Sequence, residues 1–309
     1  MKRILITGGS GFIGSNLVDR LIKNNKVIVL DRSKKEFIQQ MLKNPNFEFH
    51  EVDLLKDDID NYFKGVYEVW HLAANSDVRM ALKDTKVDIE QNILVTYKVL
   101  EAMRRNGVNN ILFASTSTVY GEAKQIPTPE NYSPLVPISL YGATKLACES
   151  LISSYCHTFG MRAVIFRFAN IIGRRSSHGI IYDFINKLKK NPKELEILGD
   201  GTQCKSYLLV DECIDAMLAA AERMEGFEIY NIGSEDKITA KRIAEIVCDE
   251  MGLKDVKFKF YVNTDGRGWI GDVKTFQLSI DKIKSLGWRP KYKSEEAVRR
   301  SVRMLLNYF

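Results

Sequence analysis

Tyr141 and Lys145 have the residue types and the spacing from which a base could be built. They enclose the segment Tyr141-Gly-Ala-Thr-Lys145, and residues four apart in a helix lie on one face of adjacent turns. A free phenol has a pKa of about 10, but a neighbouring ammonium group favours the phenolate. The spacing predicts a helix on which Lys145 lowers the pKa of Tyr141, so that the phenolate exchanges a proton with a substrate hydroxyl. Ordinary amphipathic helices show the same spacing, so the rest of the chain must show whether Tyr141 and Lys145 are catalytic.

A glycine-rich turn near the start of the chain predicts a nucleotide site. The β-rich run Ile4–Thr7 precedes Gly8-Gly-Ser-Gly11-Phe-Ile-Gly14, and an amphipathic helix follows to about Lys23. Without Cβ atoms, the backbone amides and the helix dipole can meet a pyrophosphate. We expect this cradle to consist of Gly8, Gly11, Phe12, Ile13 and Gly14.

Asp31 ends the next predicted strand, Val27–Leu30. A carboxylate there can hold the ribose hydroxyls of an adenosine and would repel a 2′-phosphate. The sequence therefore predicts NAD in preference to NADP, although Arg32 beside Asp31 weakens that preference.

Further strand–helix units follow, and together they predict an α/β fold with a doubly wound parallel sheet. Strands are expected at Phe47–Val52, Glu68–Leu72, Ile111–Ala114 and Arg162–Phe168, with Phe227–Ile232 returning to the sheet. The ends of parallel strands face the ligand. Asp53 and Leu54 should border the adenine, and the small Ala73 and Ala74 should admit the middle of the cofactor. We interpret His71 as a hydrogen-bonded, half-buried histidine.

The downstream half of the chain predicts a second ligand site. Asn170, Gly173, Arg174, Arg175, Ser176 and Ser177 read as a polar loop, and helices are expected at about Ile180–Lys190, Ile214–Met224, Ile238–Met251 and Val298–Leu306. Arginine and lysine cluster in these loops and could clamp the phosphates of a second nucleotide. We predict two regions, 1–169 with 227–235 for the cofactor and mainly 170–309 for the substrate.

Composition excludes several classes of protein. The 309 residues carry a net charge of +6 spread along the chain, which indicates no nucleic-acid partner. No apolar run approaches the ~20 residues of a membrane span, and the first apolar run reads as a strand and not as a signal peptide. The five cysteines form no CxxC and the four histidines are scattered. This predicts reduced thiols in a cytoplasmic protein and no metal site.

Two long helices predict an assembly. Val87–Arg105 and the helix that carries Tyr141 are apolar on more than one side, which suggests burial against the sheet and against a partner. A partner subunit is one candidate for this second contact, and a homodimer built from these helices is the expected form. Between Ser117 and Ser139 lie four of the seven prolines, which predict an extended loop before the helix of Tyr141.

Six motifs occur together in this chain. They are Thr7-Gly-Gly-Ser-Gly-Phe-Ile-Gly14, His71-Leu-Ala-Ala74, Ser115-Thr-Ser-Thr-Val-Tyr-Gly121, Tyr141-Gly-Ala-Thr-Lys145, Arg167-Phe-Ala-Asn170 and Gly199-Asp-Gly201. With them the chain resembles, along essentially its whole length, the extended short-chain dehydrogenase/reductase family. Within that family it is most similar to nucleoside-diphosphate-sugar epimerases of the UDP-glucose 4-epimerase type.

The resemblance implies a Rossmann sheet that binds NAD and a smaller C-terminal α/β lobe that binds a UDP-sugar. Tyr141 would remove the proton of the sugar's 4-hydroxyl while the C4 hydride passes to the nicotinamide, and the 4-keto sugar would turn over and regain the hydride on its other face. Thr116 would share the proton, and Lys145 would hold the nicotinamide ribose. The implied cofactor contacts also include Leu72, Asn92, Ser115 and Phe168. The implied substrate contacts are Ser76, Arg79, Thr116, Tyr141, Asn170, Lys205, Tyr207, Arg267 and Phe276.

Several alternatives stay open at this point. Related 4,6-dehydratases carry an acidic pair, and decarboxylases a glutamate, at positions that are Ser117 and Thr118 here. A UDP-glucuronate 4-epimerase could use Arg79 and Arg174 for the carboxylate. A non-catalytic NAD-binding scaffold would need no proton-transfer group. Lys205 stands where the family often has arginine, and Ser76 where some epimerases have lysine.

Phe276 bears on which sugar is accepted. In the resemblance it falls where a bulky side chain closes the pocket against N-acetyl groups. UDP-glucose and UDP-galactose are therefore the expected pair, with UDP-N-acetylhexosamines as an alternative.

Overall fold

The computed structural model describes residues 1–33, 36–262 and 265–307, and these form two compact units. The first unit comprises Met1–Val119, Ser139–Arg167 and Met217–Tyr230, and the second comprises Tyr120–Ile138, Phe168–Ala216 and Asn231–Phe309. The chain thus enters each unit more than once. The predicted allotment of cofactor to one region and substrate to the other stays a prediction.

Fourteen strands are present in the described residues. They are β1 Arg3–Thr7, β2 Lys26–Asp31, β3 Phe47–Glu51, β4 Glu68–His71, β5 Asn110–Thr116, β6 Arg162–Phe168, β7 Asn170–Ile172, β8 Glu194–Leu198, β9 Cys204–Lys205, β10 Tyr207–Leu209, β11 Phe227–Ile232, β12 Ile238–Thr239, β13 Lys257–Tyr261 and β14 Thr275–Phe276.

Nine α-helical segments occur in the same residues. They are α1 Phe12–Leu21, α2 Lys86–Asp88, α3 Val95–Arg105, α4 Leu140–Phe159, α5 Ile180–Lys190, α6 Val210–Ala221, α7 Ala240–Glu250, α8 Asp281–Ser285 and α9 Ser294–Leu306. Short 3₁₀ helices cover Glu36–Lys43, Asp60–Phe63, Met80–Leu82 and Ser117–Tyr120, and a π-helix covers Ile89–Leu94.

A seven-stranded parallel sheet in the order β11-β6-β5-β4-β1-β2-β3 contains the predicted strands of the first region. Its central strands are buried almost end to end, with Leu5 and Val69 fully covered. This burial is why they read as continuous apolar runs and not as alternating ones. The predicted α/β class, the parallel sheet and the return of the strand at 227–232 are confirmed.

The second unit is built on smaller sheets. β7 pairs with β10, β8 pairs with β13, and β9 lies between β12 and β14. Helices α5, α7 and α9 cover them with a separate apolar core that includes Ile185, Ile243 and Val298.

Three local predictions need correction. Val87–Arg105 is not one α-helix, because a π-helical turn separates α2 from α3. Residues 170–172 form a strand and not a loop, since Asn170 pairs in register with Tyr207 across β7 and β10. The closing helix begins earlier than predicted, at Ser294. Sequence periodicity carries no signal for the strand at 170–172, because that strand depends on a partner 37 residues away.

Within these residues, none of the helices has both the length and the apolar character that a membrane crossing requires.

Candidate active site

The glycine turn between β1 and α1 forms a close backbone approach. Gly8 has a φ of +71°, and a Cβ atom there would lie 2.7 Å from the Ala73 nitrogen. A Cβ atom on Gly14 would lie 2.2 Å from the Gly8 carbonyl oxygen. α1 then begins after Gly11, which supplies no side-chain cap, so its first amides point into the turn. The cradle fits a pyrophosphate, as the dinucleotide prediction requires.

Asp31 lies beside this turn at the end of β2. The Ser10 backbone N–H and hydroxyl both donate to Asp31 Oδ2, over 3.0 and 2.6 Å. These bonds hold the carboxylate next to the cradle, while Arg32 is exposed to solvent. The geometry suits recognition of ribose hydroxyls.

The other predicted cofactor residues of the first unit follow the neighbouring strands. Asp53 accepts the Leu55 amide over 2.9 Å and so shapes a turn, and Leu54 is buried. Phe12, Ile13, Leu72, Ala73 and Ala74 are all half-buried. The Ala73 amide donates to Thr7 Oγ1 over 3.3 Å. The ends of β1, β2 and β4 thus meet on one edge of the sheet, as predicted.

His71 belongs to a buried hydrogen-bonded chain. Its Nδ1 lies 2.7 Å from Thr7 Oγ1, its Nε2 lies 3.0 Å from Thr96 Oγ1, and Thr96 in turn donates to Cys148 Sγ over 3.4 Å. Burial, with a smaller effect of Lys145, lowers the pKa of His71 to about 3. The histidine is therefore neutral and structural, and more deeply buried than expected.

Tyr141 and Lys145 lie on α4 as the spacing predicted. Ser139 caps this helix by accepting the Gly142 amide over 3.1 Å. Lys145 is buried, and its Nζ donates to the Ala114 carbonyl oxygen over 2.8 Å and lies 4.7 Å from the Phe113 ring centroid. Within the part of the chain that the structure describes, no group hydrogen-bonds the Tyr141 hydroxyl.

The predicted lowering of the Tyr141 pKa by Lys145 is wrong for the protein alone. Burial raises the pKa of Tyr141, and the charges of Asp88 and Cys148 raise it further. Burial lowers the pKa of Lys145 to about 8, against the opposing effects of Cys148, Glu149 and Asp88. Desolvation disfavours the charged form of both groups, and the ammonium is directed to Ala114. In the protein alone, these effects favour the neutral form of Tyr141.

Thr116 and Ser115 end β5 next to this helix. Thr116 Oγ1 lies 3.1 Å from Thr118 Oγ1 and accepts the Thr118 amide over 3.1 Å. The Ser115 hydroxyl donates to the buried Glu149 carboxylate, which the sequence reasoning did not consider.

The sequence analysis also did not predict a polar network that links the segment after β4 to α4. The Asn75 side-chain Nδ2 donates to Asp88 Oδ1 over 2.7 Å, and the Asn75 backbone N–H donates to Asn92 Oδ1 over 3.0 Å. Asn92 donates to Thr144 Oγ1 over 2.9 Å. Asn92, predicted as a cofactor contact, thus braces α4. Its signal was available, because the polar residues Asp88, Asn92 and Thr96 recur every four residues along the run.

Five predicted substrate residues lie together in the second unit. Asn170 pairs with Tyr207, and Lys205 pairs with Phe276, in two small sheets joined by residues 205–207. Arg267 Nη1 donates to the Asp272 carbonyl oxygen over 2.8 Å.

The predicted phosphate-binding cations already have carboxylate partners. Lys205 Nζ lies 2.5 Å from Asp272 Oδ1, and Arg267 pairs with Glu122 over 2.5 Å and with Asp265. The pairs Lys205–Asp272 and Arg267–Glu122 join residues that are far apart in sequence, so local patterns did not reveal them, whereas Asp265 is two residues from Arg267.

Three predicted contacts stand apart from these groups. Ser76 and Arg79 are exposed in the segment after β4, where Arg79 Nε lies 3.5 Å from Asp77 Oδ1. Phe168 is buried at the end of β6. The roles of all the predicted site residues stay predictions.

Comparison with known proteins gives concordant results. A family model described as the NAD dependent epimerase/dehydratase family matches residues 4–233. A putative UDP-glucose 4-epimerase of Methanocaldococcus jannaschii is 35% identical over 98% of each chain.

Solved structures agree with the sequence relatives. A crystal structure of a UDP-galactose 4-epimerase has a TM-score of 0.88 and 40% identity over 99% of each chain. A UDP-glucuronic acid 4-epimerase from Bacillus cereus, in complex with UDP-glucuronic acid and NAD, has a TM-score of 0.90 and 29% identity over 99% of this chain and 100% of that one.

The comparisons confirm the resemblance drawn from the motifs, the assignment as an enzyme and the choice of NAD as cofactor. The matched residues run from β1 into the strand that returns to the sheet, and they include the glycine cradle, Tyr141 and Lys145. The chain belongs to the NAD dependent epimerase/dehydratase family, among the UDP-sugar 4-epimerases of the extended short-chain dehydrogenase/reductase type.

Proposed function

We propose that the protein is a 4-epimerase that interconverts UDP-glucose and UDP-galactose. The observation that carries the proposal is the neutral hydroxyl pair Thr116–Thr118 beside the helix of Tyr141 and Lys145. Elimination of water or loss of carbon dioxide would call for an acidic group in this position, and epimerisation calls for none. The relatives named for UDP-glucose and UDP-galactose support this choice.

Each protein group has a defined task in this reaction. Tyr141 accepts the proton of the 4-hydroxyl and later returns it, and Thr116 orients that hydroxyl by hydrogen bonding. Lys145, protonated below about pH 8, supplies positive charge beside the reacting groups. When bound, NAD would supply a positive charge that favours the Tyr141 phenolate, and it would take up and return the hydride of the sugar's C4 carbon.

A UDP-glucuronate 4-epimerase is the second candidate, favoured by the relative in complex with UDP-glucuronic acid. The two arginines considered for a uronate carboxylate have acidic partners, since Arg79 lies near Asp77 and Arg174 Nη2 lies 3.0 Å from Asp211 Oδ1. This pairing favours neutral hexoses.

The purified protein with NAD should convert UDP-glucose and UDP-galactose faster than UDP-glucuronate or the two UDP-N-acetylhexosamines, with products identified by chromatography. The half-buried Phe276 ring beside Lys205 should disfavour the N-acetyl forms by about tenfold. Phe276→Ala should narrow that ratio. Conversion of UDP-N-acetylglucosamine at the rate of UDP-glucose would contradict the role of Phe276, and conversion of UDP-glucuronate alone would contradict the proposed substrate.

We expect the unaltered protein to bind NAD more tightly than NADP, and Asp31→Ala to lessen the preference by at least about fivefold, because a nearby carboxylate repels a 2′-phosphate. Dissociation constants from calorimetry measure this. Asp31→Asn can still accept the hydrogen bond from Ser10, so it separates the effect of the lost charge from any effect of a disturbed turn. Tighter NADP binding by the unaltered protein would mean that Arg32 dominates.

We propose that the protein is a homodimer formed through the helical run 86–105 and α4. Ile89, Leu94 and Tyr97 are 45%, 42% and 48% exposed on the first, and Leu140 and Phe159 are 40% and 48% exposed on the second. Such apolar exposure suits an isologous contact.

Light scattering at micromolar concentration should therefore give twice the chain mass of 35.3 kDa. Tyr97→Glu should shift the protein towards monomer, whereas Tyr67→Glu, at an exposed tyrosine outside these helices, should not. A monomeric mass for the unaltered protein would refute the proposal.

A further inference from the structure

A buried ion pair lies beneath α4 and has no part in the proton transfer described above. Arg167 of β6 donates from Nη2 to Glu149 Oε2 over 2.7 Å and from Nε to both carboxylate oxygens over 3.1 and 3.2 Å. The two side chains are 3% and 4% exposed. Ser115 of β5 donates its hydroxyl to the same carboxylate.

Stability alone does not account for this pair. Desolvating two charges costs about as much as their attraction returns, and well-packed apolar residues in their place are often as stable or more so. Removing only one partner is strongly destabilising, because it strands a buried charge. A buried pair of this kind can instead fix the register of the elements that it joins.

Glu149 ties α4 to two strands, to β6 through Arg167 and to β5, which ends in Thr116, through Ser115. Ala114 and Ser115, consecutive in β5, contact Lys145 and Glu149, which are one turn apart on α4. Thr116 follows directly in the strand. Tyr141, Lys145 and Glu149 are spaced by four residues, so they share one helix face. A rotation or slide of α4 at Glu149 would therefore move Tyr141 and Lys145 relative to Thr116.

We propose that Glu149 and Arg167 are positioning residues that fix the rotation and height of α4 on the sheet, so that Tyr141 and Lys145 stand in register with Thr116. The hydrogen bond from Ser115 to Glu149 adds a second contact, between α4 and β5. The inference rests on the proposed role of Tyr141 as the acid–base group and not on which sugar is converted.

The test replaces both charges at once. Glu149→Leu/Arg167→Met removes both charges of the ion pair together, so the thermal midpoint should stay within a few degrees of the unaltered value. Turnover should fall by about 10- to 100-fold, as a small misplacement of reacting groups does. The KM for the UDP-sugar should change by less than about threefold, because the groups that bind the diphosphate are not involved.

Two further variants separate positioning from folding. Glu149→Asp keeps the charge and shortens its reach by one methylene, so the protein should fold normally yet lose turnover. Arg242→Met/Glu295→Leu removes the ion pair between α7 and α9, in which Arg242 Nη2 lies 2.7 Å from Glu295 Oε1. That control pair lies outside the candidate site, and its removal should leave turnover unchanged.

A crystal structure of Glu149→Leu/Arg167→Met provides a readout that needs no activity. We expect α4 to shift and the bond from Lys145 Nζ to Ala114 to lengthen or break. An unmoved α4, or a folded double variant with turnover within about twofold of the unaltered enzyme, would overturn the inference. Should the double variant unfold, normal turnover of Glu149→Asp would overturn it. An unaltered protein that is inactive on every UDP-sugar would refute the proposed function, and the shift of α4 would still decide this inference.

Discussion

Tyr141→Phe should lower turnover by about 100- to 10,000-fold, which is the usual contribution of a positioned acid–base group. The change removes only the phenolic oxygen, and within the described ranges that oxygen has no hydrogen-bond partner to strand. The ring should therefore pack as before. Binding of NAD and of the UDP-sugar should stay close to that of the unaltered protein. Steady-state kinetics and calorimetry on the same preparation measure both effects.

Tyr155→Phe is the matched control, because it makes the same change on the same helix. The Tyr155 hydroxyl donates to Glu101 Oε1 over 2.8 Å, away from the reacting groups. Its loss should leave turnover unchanged and cost about 1 kcal/mol of folding free energy. Near-normal turnover of Tyr141→Phe would eliminate Tyr141 as the proton acceptor and the proposed mechanism with it.

Lys145→Met should lower turnover by roughly 100-fold or more and move the remaining activity to higher pH. Burial raises the pKa of Tyr141 in the protein alone, so the phenolate depends on positive charge in the complex with NAD, and loss of the Lys145 ammonium removes part of that charge. The variant can therefore ionise Tyr141 only in more alkaline solution. In the unaltered enzyme, activity should fall above about pH 8, where Lys145 loses its proton.

Lys98→Met is the control for Lys145→Met. Lys98 also donates to backbone carbonyl oxygens, those of Leu55 and Asp57, both over 2.9 Å, but these lie in the turn after β3 and not at the strand end that carries Thr116. Its pH–rate profile should match that of the unaltered protein. If Lys145→Met has the same pH optimum as the unaltered enzyme, Lys145 does not act on the ionisation of Tyr141.

Local patterns predicted the scaffold of the site well. The glycine turn, Asp31 after β2 and the four-residue spacing of Tyr141 and Lys145 are set by backbone geometry over short stretches, and sequence reports such geometry directly. The returning strand β11 was also predictable, because four of its six residues are aromatic or β-branched.

Charge pairing was not predictable in the same way. Arg267 pairs with the distant Glu122 as well as with nearby Asp265, and Lys205 pairs with the distant Asp272. No local pattern links either distant pair. The direction of the Tyr141 pKa was misjudged for a related reason. Sequence places Lys145 one turn away, but only the fold shows that its ammonium meets the Ala114 carbonyl oxygen and that burial disfavours both charges.

The buried chain of Thr7, His71, Thr96 and Cys148 also has a consequence for acid tolerance. An unfolded histidine binds a proton below its ordinary pKa of about 6.5, whereas folded His71, with a pKa of about 3, stays neutral. Between these values the unfolded state binds more protons, so His71 contributes stability that is present above about pH 6.5 and is lost as the pH falls towards 3. At pH 5 the loss from this side chain amounts to about 2 kcal/mol. His71, which stays neutral in the folded protein, therefore makes the seven-stranded sheet less stable in acid.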